Sequence, residues 1–293
     1  MPGRASGCRM VDSGLARASG VIVCADDFAL HASASIGIAK LASLQRISAT
    51  SAMVLSPRWP QDAALLQELR SQIDVGLHLD WTSDFALAAG HGLPLGAAMR
   101  RALLGGFDRA RAAGVIERQL DAFEAHWQAP PDFVDGHQHV QQFSGIREAL
   151  VATLMRRYGT QAVPPYLRIS RVPPALANLK SRVIGWMGAS SLENLATQAQ
   201  LPHAKALFGV YDFAGGPPRY AALMKQWLQR AAPGSILMCH PAQAAEPDDA
   251  IGVTRMQEFA YLASPDFAAA LQQAGVSVVR GRAAIPPLKS SGD

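Results

Sequence analysis

Short runs of β-branched and apolar residues alternate with segments of helical periodicity along most of the chain. A run such as 21–24 is typical of a strand buried on both faces. Because strands that alternate with helices pair in parallel, the pattern predicts an α/β fold, most economically a distorted (β/α) barrel of roughly seven parallel strands. The predicted strands are 21–24, 50–55, 74–79, 133–140, 166–169, 208–211, 235–239 and 276–279.

Most of the segments between these runs have the 3.6-residue apolar spacing of amphipathic helices. Residues 83–106 do not, because they are rich in Ala, Gly and Leu, and we expect an insertion over the functional site that contains short helical pieces. Without a visible repeat or linker, residues 20–285 are expected to form a single domain. The predicted helices are 36–44, 61–69, 115–127, 146–157, 176–187, 192–198, 220–231, 253–262 and 267–273.

The amino-acid composition argues against several classes of protein. The 293 residues are 49% hydrophobic and 17% charged, which is ordinary for a globular protein and argues against disorder. The net charge of +4 is small, and basic residues occur in scattered pairs rather than clusters, so we expect no nucleic-acid partner. Cys8, Cys24 and Cys239 give neither a disulfide framework nor a paired metal motif, which favours a reducing compartment.

The two ends of the chain are expected to lie outside the domain. Residues 1–19 contain no apolar run, so they are predicted to be a disordered extension rather than a secretory signal. Residues 286–293 are predicted to be a flexible tail. No segment is long and apolar enough to span a bilayer, so the expected location is the cytoplasm, without stable membrane insertion. The sequence leaves a homo-oligomer possible.

Aspartate and histidine residues stand at the ends of four separate predicted strands. Asp26 and Asp27 end the first strand, His78 lies near the end of the third, and His240 directly follows 235–239. The fourth strand carries Asp135, His137 and His139, which are predicted to share one face of that strand. Because the carboxyl ends of parallel strands meet at one rim, these side chains are expected to converge there.

A divalent cation would satisfy such a set of buried polar groups. One carboxylate and two imidazoles, from Asp27, His78 and His137, suit ions such as Zn, Fe or Mn and leave coordination positions open for water and substrate. The ion would polarise a carbonyl and lower the pKa of bound water. Asp26 precedes Asp27, so in a regular strand it points the other way, but a turn at the strand end would let it act as a base.

Each of these residues alone also has a structural explanation. An Asp-Asp pair often caps a helix, and a single histidine in an apolar strand is usually a hydrogen-bonded core residue. A functional site is favoured because such residues stand at the ends of four strands.

Arg168, at another strand end, either clamps an anionic substrate group or forms a structural ion pair. Trp81, just beyond His78, is the best candidate for stacking on a sugar ring, ahead of Trp59 and Phe85. Cys24, in an apolar strand, is expected to be a small buried hydrophobe rather than a nucleophile.

At these same positions the sequence resembles the YdjC-like, or ChbG/HpnK-type, carbohydrate deacetylases. The resemblance runs in order from about Val21 to about Val279. It rests on four motifs and a closing segment, which are Ala25-Asp26-Asp27-Phe28, Gly76-Leu77-His78-Leu79, Asp135-Gly136-His137-Gln138-His139-Val140, Met238-Cys239-His240-Pro241 and Arg255-Met256-Gln257-Glu258.

The resemblance implies metal-dependent hydrolysis of an N-acetyl group of an amino sugar or glycolipid precursor, on a distorted (β/α) barrel. It implies one divalent ion, Mg or Zn, on Asp27, His78 and His137. It also implies that Asp26 is the general base and that His240 protonates the leaving amine. Asp135 and His139 become candidates for orienting the ligands or binding substrate.

Three positions depart from the family's usual pattern. Ala29 replaces a glycine, Gln141 replaces a further histidine, and Ala242 replaces a glycine after His-Pro. None of them is a proposed ligand, but Ala29 and Gln141 are expected near the pocket, where they would influence the choice of substrate. Alternatives to the deacetylase are a metal-dependent amidase or phosphoesterase acting on another small molecule, and a sugar-binding relative without turnover.

Overall fold

The computed structural model describes residues 19–285. The predicted flexible tail, 286–293, and all but the last residue of the predicted extension, 1–19, lie outside the described residues. The first strand already includes Ser19, one residue before the expected start of the domain.

Eight parallel strands form one sheet that curls into a half-barrel, as the alternating pattern predicts. Seven of them lie in the order β5-β4-β3-β2-β1-β7-β6, and β8 pairs with the start of β1. The strands are β1 (Ser19–Phe28), β2 (Ala49–Ala52), β3 (Asp74–Leu79), β4 (Phe133–Gly136), β5 (Tyr166–Leu167), β6 (Ala206–Phe208), β7 (Ser235–Cys239) and β8 (Val276–Val278).

The two edge strands of the sheet are β5 and β6, and hydrogen bonds join β5 to the residues that directly precede β6. The backbone N–H of Leu167 in β5 donates to the carbonyl of Pro202 at 2.9 Å, and the N–H of Ala204 donates to the carbonyl of Leu167 at 2.9 Å. The curled sheet therefore has a continuous wall, and the carboxyl ends of its strands meet around one opening.

Helices cover the outer face of the sheet, and the insertion over 83–106 contains two short ones, as expected. Polar side chains fix several helix starts: the Asp108 carboxylate accepts from the N–H of Arg111 at 2.7 Å, for example. The α-helices are α1 (Ala32–Ser43), α2 (Trp59–Asp62), α3 (Asp84–Ala88), α4 (Leu95–Leu103), α5 (Arg109–Trp127), α6 (Ile146–Tyr158), α7 (Leu179–Trp186), α8 (Ala189–Gln198), α9 (Gly216–Leu228), α10 (Gly252–Ala263), α11 (Pro265–Ala274) and α12 (Gly281–Ala284). The 3₁₀ helices are Ala63–Leu69, His137–Gln142 and Pro174–Leu176.

The apolar strands bury both of their faces. In β1, Val21 and Val23 pack in the large core that includes the helices, whereas Ile22 and Cys24 pack in a smaller cluster formed mainly by other strands. This inner cluster fills the amino-terminal half of the curled sheet, where the rings of Phe133 and Tyr166 stack at 5.1 Å between centroids. The charged side chains of the sheet therefore lie near the two ends of the strands.

Buried ion pairs close the amino ends of the strands. Arg280, just before α12, donates from Nε to Asp74 at 2.7 Å, and Arg282 pairs with Asp132. The hydroxyl of Tyr166 lies 3.3 Å from the Asp74 carboxylate. Helix α12 thus holds the amino end of the sheet shut, which leaves the carboxyl end as the open one.

Candidate active site at the carboxyl end of the strands

An irregularity at the end of β1 turns two consecutive aspartates toward the same space. The pairing of β1 with β2 shifts register between Ala25 and Phe28, and Asp27 adopts a left-handed backbone with φ of 66°. Such a bulge breaks the alternation of a regular strand. Asp26 and Asp27 consequently both line one cavity, although each is only 2% exposed.

The three predicted ligands lie together at the floor of this cavity. The Asp27 Oδ1 atom is 3.3 Å from His78 Nε2 and 3.2 Å from His137 Nδ1. One ligand atom from each of the three residues lies within 4.8 Å of the others. A carboxylate oxygen and two imidazole nitrogens at this separation fit a divalent ion and leave positions free on the cavity side.

The environment of His78 is that of a metal-binding histidine. Its Nε2 atom faces Asp27, while its Nδ1 atom lies 2.6 Å from Asp135 Oδ1 and 3.0 Å from the Ser51 hydroxyl. Burial lowers the pKa of His78, but the Asp135 carboxylate outweighs it and raises that pKa to about 10. A carboxylate behind a histidine holds the ring orientation that presents the other nitrogen to a metal.

Arg168 forms a buried ion pair with two aspartates, which decides between its two predicted roles. Its guanidinium donates to both oxygens of Asp26, at 2.6 and 2.8 Å, and lies 2.9 Å from Asp135 Oδ2. Burial raises the pKa of Asp26, but Arg168 outweighs it and lowers that pKa to about 2. Because Arg168 is completely buried, it orients Asp26 rather than clamping a substrate anion.

Arg255, from α10, holds the second aspartate and was not predicted as a site residue. Its guanidinium donates to Asp27 Oδ2 at 2.8 Å and to Asp249 at 2.5 Å. The opposite oxygen of Asp27 thereby stays directed at the two histidines. The sequence signal was the closing segment of the family resemblance, because nothing local to Arg255 indicates a partner 228 residues away.

His240 reaches the cavity from the end of β7. Its Nε2 atom is 3.9 Å from Asp26 Oδ2, and its backbone N–H donates to Glu258 at 2.5 Å. Burial lowers the pKa of His240 to about 4. Burial also raises the pKa of Glu258 to about 7, although Glu258 accepts a second hydrogen bond from Tyr211 at 2.6 Å.

The prediction that Asp135, His137 and His139 share one strand face is wrong. Strand β4 ends at Gly136, and the chain continues as the 3₁₀ helix His137–Gln142, in which Gln138 and His139 have φ of 52° and 64°. This turn sends His137 to Asp27, whereas His139 Nδ1 lies 2.9 Å from the Ser170 hydroxyl. Burial lowers the pKa of His139 to about 3, so it lines the cavity as a neutral imidazole.

Gln141 and Trp81 do not line the cavity within the described part of the chain, contrary to expectation. The Gln141 amide is completely buried and donates to the carbonyl of Arg168 at 3.1 Å, so it supports the ion pair from behind. Trp81 is 2% exposed and packs edge-on against Phe107 in the core. Phe85, one of the other two aromatic candidates, does line the cavity.

His31 lines the cavity, although no motif of the sequence indicates it as a site residue. It caps α1 by accepting from the N–H of Ala34 at 3.2 Å, and it lies 3.3 Å from Asp249. Ala29 is buried with φ of 70°, a left-handed conformation that explains why a glycine is usual at this position.

Cys24 has the character expected of a buried hydrophobe. Its thiol lies 3.7 Å from Asp26 Oδ1 and is fully buried. Burial raises the pKa of this thiol well above its usual value, which disfavours the thiolate that a nucleophile or ligand requires. Cys24, Asp26 and Asp135 form a second group with metal-binding potential, but the Arg168 guanidinium already supplies the cation between the two aspartates.

The cavity above these groups has a volume of about 1200 Å³ and two unlike walls. The floor carries the aspartates and histidines. The wall contributed by α3, α4 and α7 is mainly apolar: it includes Phe85, Met99, Val183 and Ile184, together with the charged Asp84 and Lys180. The fold and the site together define a (β/α) half-barrel protein with an Asp/His/His cluster, at the carboxyl end of its strands, whose geometry fits a metal ion.

Comparison with known proteins identifies the family. The profile of the YdjC-like protein family matches residues 20–273, so the chain belongs to that family. No protein with a curated description matches the sequence. Within residues 19–285, no helix has the length and apolar character that crossing a membrane requires.

Among solved structures, a cellobiose-phosphate cleavage protein from Enterococcus faecalis V583 is similar, with a TM-score of 0.68 and 17% identity over 92% of this chain and 99% of that one. The Xyl-CE4 domain of a multidomain xylanase from the hindgut metagenome of Trinervitermes trinervoides matches at a TM-score of 0.47 and 10% identity, over 93% of this chain and 95% of that one. A family 4 carbohydrate esterase from Streptomyces lividans matches at 0.43 and 11%, over 94% and 100%. The first of these supports the fold.

Proposed function

We propose that this protein is a metal-dependent hydrolase that removes an N-acetyl group from an amino sugar or a sugar-containing precursor. The observation that carries the proposal is the convergence of Asp27, His78 and His137 beside Asp26 at the floor of the cavity. Membership of the YdjC-like family supports it, because these residues occupy the positions that the resemblance assigns to the ligands and the base.

The cluster would hold one divalent ion, Mg or Zn. Such an ion supplies a Lewis acid that polarises an amide carbonyl and lowers the pKa of water. The protein's own part is to fix the ligands: Arg255 holds one oxygen of Asp27, and Asp135 holds the far nitrogen of His78.

Asp26 is the proposed general base, and Arg168 prepares it in two ways. The ion pair keeps Asp26 ionised at neutral pH, since its pKa is about 2, and it fixes the direction of both oxygens. Each carboxylate oxygen has a second lone pair, so Asp26 still accepts a proton from an attacking water. A pKa this low makes Asp26 a weak base, and its contribution depends on its position.

His240 is the proposed acid that protonates the leaving nitrogen. With a pKa of about 4, its imidazole is neutral at the start of turnover near neutral pH. The proton that it donates must therefore be gained during the reaction. Asp26 Oδ2, at 3.9 Å from His240 Nε2, is placed to pass on the proton taken from water.

The test is acetate release by the purified full-length chain from N-acetylated mono- and disaccharides. We expect release that a chelator abolishes and that Mg or Zn restores. His78→Ala and His137→Ala should lose bound metal, whereas the exposed control His126→Ala on α5 should retain it.

Two results would contradict the proposal. Metal content unchanged in both His78→Ala and His137→Ala would defeat the ligand assignment. Sugar binding without acetate release, or hydrolysis of phosphoesters in place of N-acetyl groups, would defeat the assigned reaction.

A further inference from the structure

Helix α7 exposes large apolar side chains beside the mouth of the cavity. Leu179, Val183 and Trp186, at positions i, i+4 and i+7, lie on one side of the helix and are 79%, 38% and 73% exposed. We call these three residues the α7 stripe. The other four tryptophans of the chain are at most 4% exposed: Trp59, Trp81, Trp127 and Trp227.

The same segment is basic. Residues 172–192 contain no aspartate or glutamate, and within them Lys180 and Arg182 lie on exposed positions of α7. Lys180 Nζ donates to the carbonyl of Tyr211 at 2.9 Å and lies 4.2 Å from the centre of the Phe213 ring, so its charge faces the cavity. The helix thus combines an apolar stripe that ends in tryptophan with the exposed Arg182 beside it.

Helix α7 also forms part of the active-site cavity. Val183 and Ile184 line the cavity, as does Met187, which directly follows the helix. The apolar wall of the cavity is therefore continuous with the exposed stripe through Val183. A surface that covers the stripe would lie beside the opening through which a substrate enters.

We propose that the α7 stripe docks this protein on an anionic lipid surface. Tryptophan and leucine beside lysine and arginine are the combination that binds at the boundary between head groups and acyl chains. The exposed Arg182 complements anionic head groups. Three side chains on one short helix form a ridge that is small for a stable protein interface, which needs roughly 800 Å² on each partner. The inference goes beyond the proposed function and does not rest on it.

The experiment uses tryptophan fluorescence of the full chain mixed with vesicles. Because four of the five tryptophans are buried, a change on mixing reports Trp186. With vesicles of phosphatidylglycerol and phosphatidylcholine in equal parts, we expect a blue shift, protection of Trp186 from iodide and co-sedimentation of the protein. With pure phosphatidylcholine, we expect at least about tenfold weaker binding.

Variants separate docking from loss of folding. Leu179→Ser combined with Trp186→Ser should lower vesicle binding by at least about tenfold, because two apolar side chains no longer leave water. Leu65→Ser is the matched control, since Leu65 is 44% exposed and lies in the 3₁₀ helix Ala63–Leu69, away from the cavity. Circular dichroism spectra should be the same for all three proteins.

Three outcomes would overturn the proposal: no binding to either kind of vesicle, binding that the double substitution leaves unchanged, or self-association that Trp186→Ser abolishes while vesicle binding is absent. The last outcome would assign the stripe to a second copy of the chain. None of these measurements depends on deacetylase activity, so failure here is distinct from failure of the proposed function.

Discussion

At the amino end of the strands, the buried Asp74 and the partly buried Asp132 pair with two arginines that follow one another closely in the sequence. Arg280 and Arg282 flank the start of α12, and they close the sheet over Asp74 and Asp132. The charges of this cluster are matched, and the helix that carries the arginines covers them. The arrangement holds the last helix against the sheet.

At the carboxyl end, two aspartates also pair with two arginines, but here the arginines come from different sides. Arg168 follows β5 and holds Asp26, while Arg255 belongs to α10 and holds Asp27. Each aspartate keeps at least one oxygen directed toward histidines and the cavity.

The difference shows what turns a buried ion pair into a candidate site. At both ends an arginine stabilises a carboxylate that would be costly to bury alone. At the amino end the carboxylates are satisfied by the arginines and by nearby hydrogen-bond donors, and no cavity lies against them among the described residues. At the carboxyl end the arginines act from behind, and the remaining lone pairs face the histidines that we propose bind a metal or move a proton.

The largest expected effect lies at the carboxyl end. Asp26→Asn should lower kcat for acetate release by about 10²- to 10⁴-fold, because a general base contributes a factor of that size. Bound metal, measured by elemental analysis, should stay at the wild-type level, since the proposed ligands are Asp27, His78 and His137. If this variant kept full turnover, Asp26 would be a structural carboxylate like the aspartates at the amino end.

The matched change at the amino end should affect stability instead. Asp74→Asn leaves Arg280, the N–H of Arg282 and the Tyr166 hydroxyl without their common carboxylate. We expect urea unfolding to show a loss of about 3–4 kcal/mol, with kcat almost unchanged at a temperature where the variant is folded. If turnover fell by more than the fraction of folded protein, Asp74 would have a role in activity, and the contrast between the two ends would be wrong.

Glu258, the buried acid behind His240, should make stability depend on pH. Burial raises its pKa from 4.5 in the unfolded chain to about 7, so the folded protein binds the proton more tightly. This contribution is fully favourable below pH 4.5 and is lost as the pH rises to about 7, which amounts to about 3 kcal/mol. Glu258→Gln should remove this slope. Urea unfolding of both proteins at about pH 5 and about pH 8 measures it, and equal slopes would contradict the assignment.

Asp135 should control metal affinity without binding the metal. Asp135→Asn removes the charge that faces His78 Nδ1 and Arg168, and we expect metal affinity to fall by about 10- to 100-fold. Titration of the metal-free protein measures this, with saturating metal restoring part of the turnover. Unchanged affinity would place Asp135 with the purely structural aspartates of the amino end.

The smallest expected effect concerns the backbone next to the site. Ala29 adopts φ of 70°, which a glycine adopts without strain, so Ala29→Gly should raise the free energy of unfolding by at most about 1 kcal/mol. The gain is limited because glycine also makes the unfolded chain more flexible. Thermal unfolding measures it, and destabilisation would show that the bulge tolerates alanine without strain.

Much of the fold was predictable because the buried strands of a parallel sheet are short apolar segments that alternate with helices along the sequence. The strands 74–79 and 235–239 were predicted at their observed residues, since each is a short and mainly apolar segment that is buried on both faces of the sheet. The fourth strand was predicted too long. Its polar alternation through His139 looks like a strand, but the left-handed residues after Gly136 are stabilised by contacts that the local pattern does not contain.

The candidate site was predictable as a set of residue types but not as an arrangement. Trp81 and Gln141 stand close in sequence to the proposed ligands, yet packing turns them into the core and behind Arg168. Arg255 and Glu258 stand in the closing segment of the family resemblance, but nothing in that segment indicates which residues they contact. Their roles depend on which side chains the fold brings within hydrogen-bond distance.

By itself, the sequence determined that the strands run parallel and that Asp26, Asp27, His78 and His240 stand at or near their carboxyl ends. Those facts follow from residue spacing, which is local. Only the tertiary structure decided which carboxylate is paired with which arginine. The partners of Asp26 and Asp27 lie 142 and 228 residues away, and electrostatic pairing depends on distance in space, not on separation along the chain.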